Sequence, residues 1–323
     1  MEGVKPSTTN LEAHDLYLRG RYFWNKRSLE AFEKAEQYFE QAIRKDSGFA
    51  LAHAGLGDVI ALRLDYDIVR TSEVVPKAKK ATLKALELDP GLAEAHASLG
   101  NILGHEFDWP GALDEFRMAA KLKPGYATAR QWHAETLAQM GRLEEAKKEI
   151  AAALQADPTS LIINTVSANI LYFSRDYDRA LERYRTTLEM DPEFEYARSS
   201  MIGVHLVRAN YDEAMAELRK LRTWPSLFVL AQRGIIEAVA GQRTEALRSL
   251  QELERRSKSE YVPPSMLAFI LLETGDKDRA FALLMQACAE RDNGLISAKV
   301  DPLLDRYRSD PRFGTLLKCM HLG

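Results

Sequence analysis

Residues 93–126 read AEAHASLGNILGHEFDWPGALDEFRMAAKLKPGY, and the fold follows from this stretch. Ala97, Leu99, Ile102 and Leu103 recur at helical spacing and mark one helix over 93–106. Phe107–Pro110 interrupts the pattern. Ala112, Phe116, Ala119 and Leu122 form a second apolar stripe. Pro124 closes it, because proline cannot continue a helix and pushes its predecessor out of the α region. The unit is helix, tight turn, helix, tight turn. Gly100, Ala112 and Ala119 are small where the two helices would cross, as close approach requires. Phe116 is large and fills the gap toward the next unit.

The unit repeats. Pro90, Pro124, Pro158 and Pro192 stand 34 residues apart, as do Ala112, Ala146, Ala180 and Ala214. Ala246 and Ala280 follow at spacings of 32 and 34. A fixed period of this length means stacked copies of one supersecondary unit sharing a continuous core. The expected fold is therefore all-α, a solenoid of about eight antiparallel helix pairs. The units fall near 13–49, 50–92, 93–126, 127–160, 161–194, 195–226, 227–260 and 261–294, within an array of 12–292. Residues 1–11 form a polar N-terminal segment. The first two copies are stretched, so Arg63–Pro76 must hold a longer connection or an extended helix end. Gly141, Gly241 and Gly275 share a turn position where a left-handed residue lets the first helix stop. From about Asn293 the pattern changes. Asp301-Pro302 and Asp310-Pro311 each read as N-cap followed by first helical residue, giving short helices at 302–308 and 311–320. Residues 293–323 are thus expected to cap the last apolar face, which a solenoid needs.

Composition narrows the function. The 323 residues carry 44 Lys and Arg against 47 Asp and Glu, a net charge of −3, with none of the basic excess that nucleic-acid binding needs. No apolar run approaches the roughly 18 residues of a membrane span, and the N-terminus has no signal-like apolar core. A soluble chain is expected, in cytoplasm or periplasm, with the cytoplasm favoured. Cys288 and Cys319 are too few for a disulfide framework. Free, buried thiols are the expectation, and a bridge between them the alternative.

The small residues and prolines at these spacings resemble the tetratricopeptide repeat over about residues 12–292. That resemblance implies a right-handed superhelix with a concave binding face. The chain departs where the family favours tryptophan, with His53, His96, Arg130, Asn164 and Arg198 in its place. A narrower likeness lies in LYLRGRYFWNKRSLEAFEKAEQYFEQAI (16–43), LAHAGLGDVIAL (51–62), LKALELDPGLAEAHASLG (83–100), ADPTSLIIN (156–164) and KVDPLLDRYRSDPRFGTLL (299–317). These stretches resemble the C-terminal repeat arrays of bacterial signalling proteins that carry a winged-helix, nucleotide cyclase or Ser/Thr kinase domain upstream. None of those domains is in this sequence.

No P-loop, G-x-G-x-x-G, G-x-S-x-G or H-E-x-x-H motif occurs. The seven histidines are scattered. His53 and His96 share a repeat position that reads as packing rather than metal binding. No enzyme activity, cofactor or metal is expected. The concave face is the remaining candidate. The family register places Asp58, Asn101, His105, Gln131, Glu135 and Asn169 on its polar first half. Tyr172, Phe173, Phe228, Ile235, Val239 and Phe269 fall on its apolar second half. The positions that family members use to clamp a C-terminal carboxylate hold Tyr17, Ala54, Ala97, Gln131, Thr165, Ser199, Ala231 and Ser265, so chaperone-tail binding is not expected. The leading expectation is a non-catalytic protein-interaction scaffold in a larger signalling protein. The alternative is a peptide or small-ligand sensor whose binding changes solenoid curvature. For the apolar half, two readings stand: a docking groove for an amphipathic segment, or a face already buried by curvature and the C-terminal cap.

Overall fold

The computed structural model describes residues 8–323. The polar segment expected at 1–11 lies mostly outside them. Seventeen α-helices carry the chain, with no strand among the described residues. The first four pairs are α1 (Leu11–Asn25) with α2 (Leu29–Lys45), α3 (Ala50–Tyr66) with α4 (Thr71–Leu88), α5 (Ala93–His105) with α6 (Trp109–Leu122), and α7 (Ala127–Gln139) with α8 (Leu143–Ala156). The next four are α9 (Leu161–Phe173) with α10 (Tyr177–Met190), α11 (Glu195–Val207) with α12 (Tyr211–Leu218), α13 (Ser226–Val239) with α14 (Arg243–Arg256), and α15 (Pro264–Thr274) with α16 (Lys277–Glu290). The stretched copies prove to have longer helices: α3 runs on to Tyr66, α4 starts at Thr71, and Pro76 is taken inside α4.

Packing follows the small-residue pattern. Ala112, Ala119, Ala146, Ala180, Ala214, Ala246 and Ala280 are fully buried at the helix crossings. A Cβ on Gly100 would meet the Phe116 ring at 2.8 Å, and one on Gly20 would meet the Phe39 ring at 2.6 Å. Phe116 also stacks on His133 of the next pair, 5.7 Å between ring centres. Leu122 departs from its stripe and is 41% exposed. Because Ala180 is fully buried at a helix crossing, Ala180→Leu is expected to cost about 1–3 kcal/mol by overpacking. An unchanged melting temperature would contradict this.

The turns repeat as well. Gly141, Gly241 and Gly275 have φ of 82°, 77° and 93°. In the same turn Phe107, Arg175 and Ala209 take φ of 62°, 64° and 57°, at a cost of roughly 1 kcal/mol each for a residue with a Cβ. Two of these side chains have other work, described below.

The residues that replace the family's tryptophan form a polar staple. Each reaches back six residues to a loop carbonyl: His53 to Ser47, His96 to Pro90, Arg130 to Pro124, Asn164 to Pro158 and Arg198 to Pro192. Four of them also bind a side chain 19 residues on, in the second helix of the same pair. The pairs are His96–Glu115, Arg130–Glu149, Asn164–Arg183 and Arg198–Glu217, at 2.6–3.3 Å. A loop carbonyl and the second helix are thereby tied to the first helix in one step.

After α16 the chain turns back. Two short 3-10 helices, Asn293–Leu295 and Pro302–Tyr307, precede α17 (Pro311–Cys319). Asp301 and Asp310 cap as expected, accepting from the N–H groups of Leu303 and Arg312. The first of the two elements is 3-10, however, not α. Cys288 and Cys319 are joined in a disulfide, so the expectation of free thiols is corrected: the tail brings α17 against α16. Closing a loop of 31 residues, the bond is expected to contribute about 3–4 kcal/mol. Cys319→Ser should lower stability by that amount in chemical denaturation. A loss under about 1 kcal/mol would show that the unfolded chain is not the state the bridge restrains.

Candidate binding site

The tail does more than cover the last pair. It runs along the concave face and bonds to repeats far away in sequence. The Asn293 amide donates to the Leu64 carbonyl at 2.9 Å, and its oxygen meets His105 Nδ1 at 2.9 Å. Thr71 Oγ1 donates to the Arg291 carbonyl at 2.6 Å. Trp109 Nε1 donates to the Met320 carbonyl at 2.7 Å. Tyr172 donates to Asp301 at 2.7 Å. Arg175 donates to Asp305 at 2.6 Å and to the Val300 carbonyl at 2.8 Å. Phe107 stacks on Trp109, and its carbonyl meets His321 Nδ1 at 3.2 Å. Arg175 therefore holds the tail with its side chain, and Phe107 places its ring in the core shared with the tail, which gives a physical reason for a side chain where glycine would be easier.

The candidate residues fall mainly in two zones. The first is polar. Asp58 is 2% exposed; it accepts from the Ser98 hydroxyl and pairs with Arg21 at 3.4 Å. Gln131 is buried and donates to Glu135 at 2.9 Å. The guanidiniums of Arg21 and Arg27 sit 3.9 and 3.8 Å from the centre of the Trp24 ring, and Trp24 meets Trp132 edge-on. Burial pushes the Asp58 carboxyl up to about 6 and the Glu135 carboxyl up to about 8.

This has a consequence for pH. Folded Glu135 holds its proton more tightly than the unfolded chain, whose Glu titrates at the ordinary 4.5. The stability from this group is full below that value and is lost as pH rises through about 8. Glu135→Gln keeps an acceptor for Gln131. It is expected to flatten the fall in stability with pH and to gain on the order of 1–3 kcal/mol above that range, less than full linkage because water reaches part of the side chain. Urea melts of both chains across this range check it, and parallel pH profiles would contradict it.

The second zone is a cavity of about 360 Å³. Phe228, Ile235 and Val239 of α13 and Phe269 and Leu272 of α15 line one side. Asp65–Val69 from the second repeat, Trp224 and the tail residues Asn293, Ile296 and Leu304 complete it. Ile235 is 8% exposed, and Phe228, Val239 and Phe269 are half-buried. An aromatic wall stands at its edge: Trp224 lies 4.3 Å from Phe228, 5.9 Å from Tyr66 and 6.4 Å from Tyr196, centre to centre.

The candidate residues read from the sequence thus fall into separate places. Asp58, Gln131 and Glu135 lie in the polar zone. Asn101 is half-buried, and its Nδ2 has no hydrogen-bond partner among the described residues. His105 and Tyr172 face the tail. Asn169 turns into its own helix pair and accepts from Tyr184 at 2.6 Å. Phe173 packs on Tyr172, 5.5 Å between rings. Phe228, Ile235, Val239 and Phe269 share the cavity. The register missed Arg21, Arg27, Tyr66 and Trp224, which sit on the longer first helices or between helices. It also missed Asp65, Asp292 and the second role of Asp301. The unusual length of Arg63–Pro76 was the one available signal. Among the described residues no group of His, Cys, Asp and Glu side chains could hold a metal ion, and no helix is long and apolar enough to cross a membrane.

These features define a helix-pair solenoid closed on itself by its own C-terminal segment. Two family models, each described as tetratricopeptide repeat, match residues 105–169 and 165–227, and the helix-pair solenoid is the fold of that repeat. Among solved structures it is similar to a tetratricopeptide repeat protein from Parabacteroides merdae, with a TM-score of 0.54, 13% identity, and 82% of this chain and 100% of that one covered. It is similar to yeast Tom70 at a TM-score of 0.52 and 18% identity, covering 98% of this chain and 69% of that one. It is also similar to IFIT1 with Gppp-AAAA at a TM-score of 0.59 and 14% identity, covering 85% and 71%. At these identities the likeness is one of fold alone. A curated relative, Hsp70-Hsp90 organizing protein 2 of Arabidopsis thaliana, is 29% identical over 87 residues, 27% of this chain, and the chain spans only 15% of that relative's length.

Proposed function

We propose that this chain is a non-catalytic interaction scaffold that serves as the regulatory or sensing region of a larger bacterial signalling protein. Tetratricopeptide repeats present extended surfaces for proteins and peptides, and function on such folds lies in the surface, not in the scaffold. The observation that carries the reading is the closed concave face. A polypeptide partner must use the outer helices or displace the tail. The likeness of 16–43, 51–62, 83–100, 156–164 and 299–317 to signalling-protein arrays supports the regulatory part. The net charge of −3 supports a protein rather than a nucleic-acid partner. The Cys288–Cys319 bridge favours an oxidising compartment, hence the periplasm over the cytoplasm. The test is capture of a partner on the intact chain, followed by hydrogen-exchange mapping of its footprint. Failure to retain any protein beyond those held by an unrelated helical-repeat control would overturn the scaffold reading.

A second reading is favoured by the cavity. The space is partly enclosed, which suits a small ligand better than the open trough a peptide wants. The walls come from the second repeat, the last two repeats and the tail. A ligand touching all three would bias their separation and so the curvature of the solenoid. Small-angle scattering with and without ligand tests this. Identical profiles at saturation would exclude a curvature change.

A further inference from the structure

We propose that the cavity under the C-terminal segment binds a small organic cation, an ammonium ion carried on an apolar or aromatic body. The proposal rests on the ligand-sensor reading and gives that site its chemistry. Its argument is charge, shape and wall composition together.

Five carboxylates line the cavity, from Asp65, Asp67, Glu273, Asp292 and Asp301, and no lysine or arginine among the described residues does. Two of the five are neutralised from outside, Asp67 by Arg63 and Glu273 by Arg306. The other three have no lysine or arginine within ion-pair distance among the described residues. Asp292 accepts from the backbone N–H groups of Ser265 and Gly294, both at 2.9 Å, and from the Ser265 side chain, none of them a cation. Asp301 takes the Tyr172 hydroxyl and the Leu303 N–H. Asp65 takes the Asn293 amide at 3.2 Å, and His105 Nε2 stands off at 3.9 Å. Asp292 is buried and Asp65 and Asp301 are half-buried, and a carboxylate withdrawn from water without a cation is costly unless one arrives. Consistent with that, burial raises Asp292 and Asp301 from the ordinary aspartate value, for Asp301 against the more distant pull of Arg308 and Arg175.

The remaining walls say which kind of cation. These acids do not converge on one point as metal ligands do. The space between them is lined by Tyr66, Trp224, Phe228 and Phe269, whose ring faces attract an ammonium ion and also cover an apolar body. Tyr66 is 6% exposed, and its hydroxyl has no hydrogen-bond partner among the described residues. A volume of about 360 Å³ is at the small end for ligand pockets.

Three probes of one shape test the idea by calorimetry on the intact chain: phenylethylammonium, 2-phenylethanol and phenylacetate. The cation is expected to bind at least about tenfold more tightly than the alcohol, and phenylacetate not at all. Asp65→Asn, which keeps the size and the contact with Asn293, should cut the preference for the cation several-fold. Should the alcohol bind as well as the cation, the charge argument is overturned while the ligand-sensor reading stands. Should none of the three bind at millimolar concentration, both fall. Because the probe comparison is made on the unaltered chain, it does not depend on the variant folding.

Discussion

Deleting residues 293–323 is expected to unfold the last repeats and to lower the main thermal transition by more than about 10 °C. Leu295, Ala298, Leu304, Tyr307, Phe313, Leu316, Met320 and Leu322 are buried in one core with α13–α16. At about 1.5–3 kcal/mol for each large side chain, the tail contributes more than about 10 kcal/mol of gross burial, part of it offset by the entropy of ordering the tail. That is comparable to the whole net stability of an ordinary domain. The deletion also removes the disulfide and the acceptor for Trp109. Solenoid repeats are stabilised by their neighbours, so the loss should spread from the C-terminal end. Hydrogen exchange should quicken first in α13–α16, and Trp109 emission should shift to the red. A truncated chain that melts within a few degrees of the full one would show that the tail merely rests on the array.

Ile235→Asp combined with Phe269→Asp is expected to cost at least about 5 kcal/mol. Each change removes an apolar side chain from the cavity wall and adds a carboxylate facing Asp65, Asp292 and Asp301. The energy thus includes lost burial, desolvation and like-charge repulsion. Acidification should restore part of the loss, because protonating the new carboxyls removes the last two terms. Denaturant melts at neutral and mildly acidic pH give both numbers. An unchanged melt with lost partner binding would instead make these residues an open docking groove.

How much of this was legible from residues alone differs by element. The helix pairs, the crossings at Ala112, Ala146 and Ala180 and the left-handed turns at Gly141, Gly241 and Gly275 were readable because each is set within one 34-residue unit. Local spacing and sterics determine them. The staples from His96, Arg130 and Arg198 were visible only as departures from the family's tryptophan. Their meaning needs the loop carbonyl, which no side-chain pattern records.

The sequence by itself thus determined the repeating unit, its period and the near-neutral charge of the array. The tertiary structure decided the rest: that the array curls until Tyr66 meets Tyr196 and Trp224, that Asn293 and Asp301 reach the second and fifth repeats, and that Cys288 meets Cys319. Period and small residues constrain neighbours. Where two ends of a solenoid come together depends on small rotations summed over eight pairs, and no single residue carries that sum.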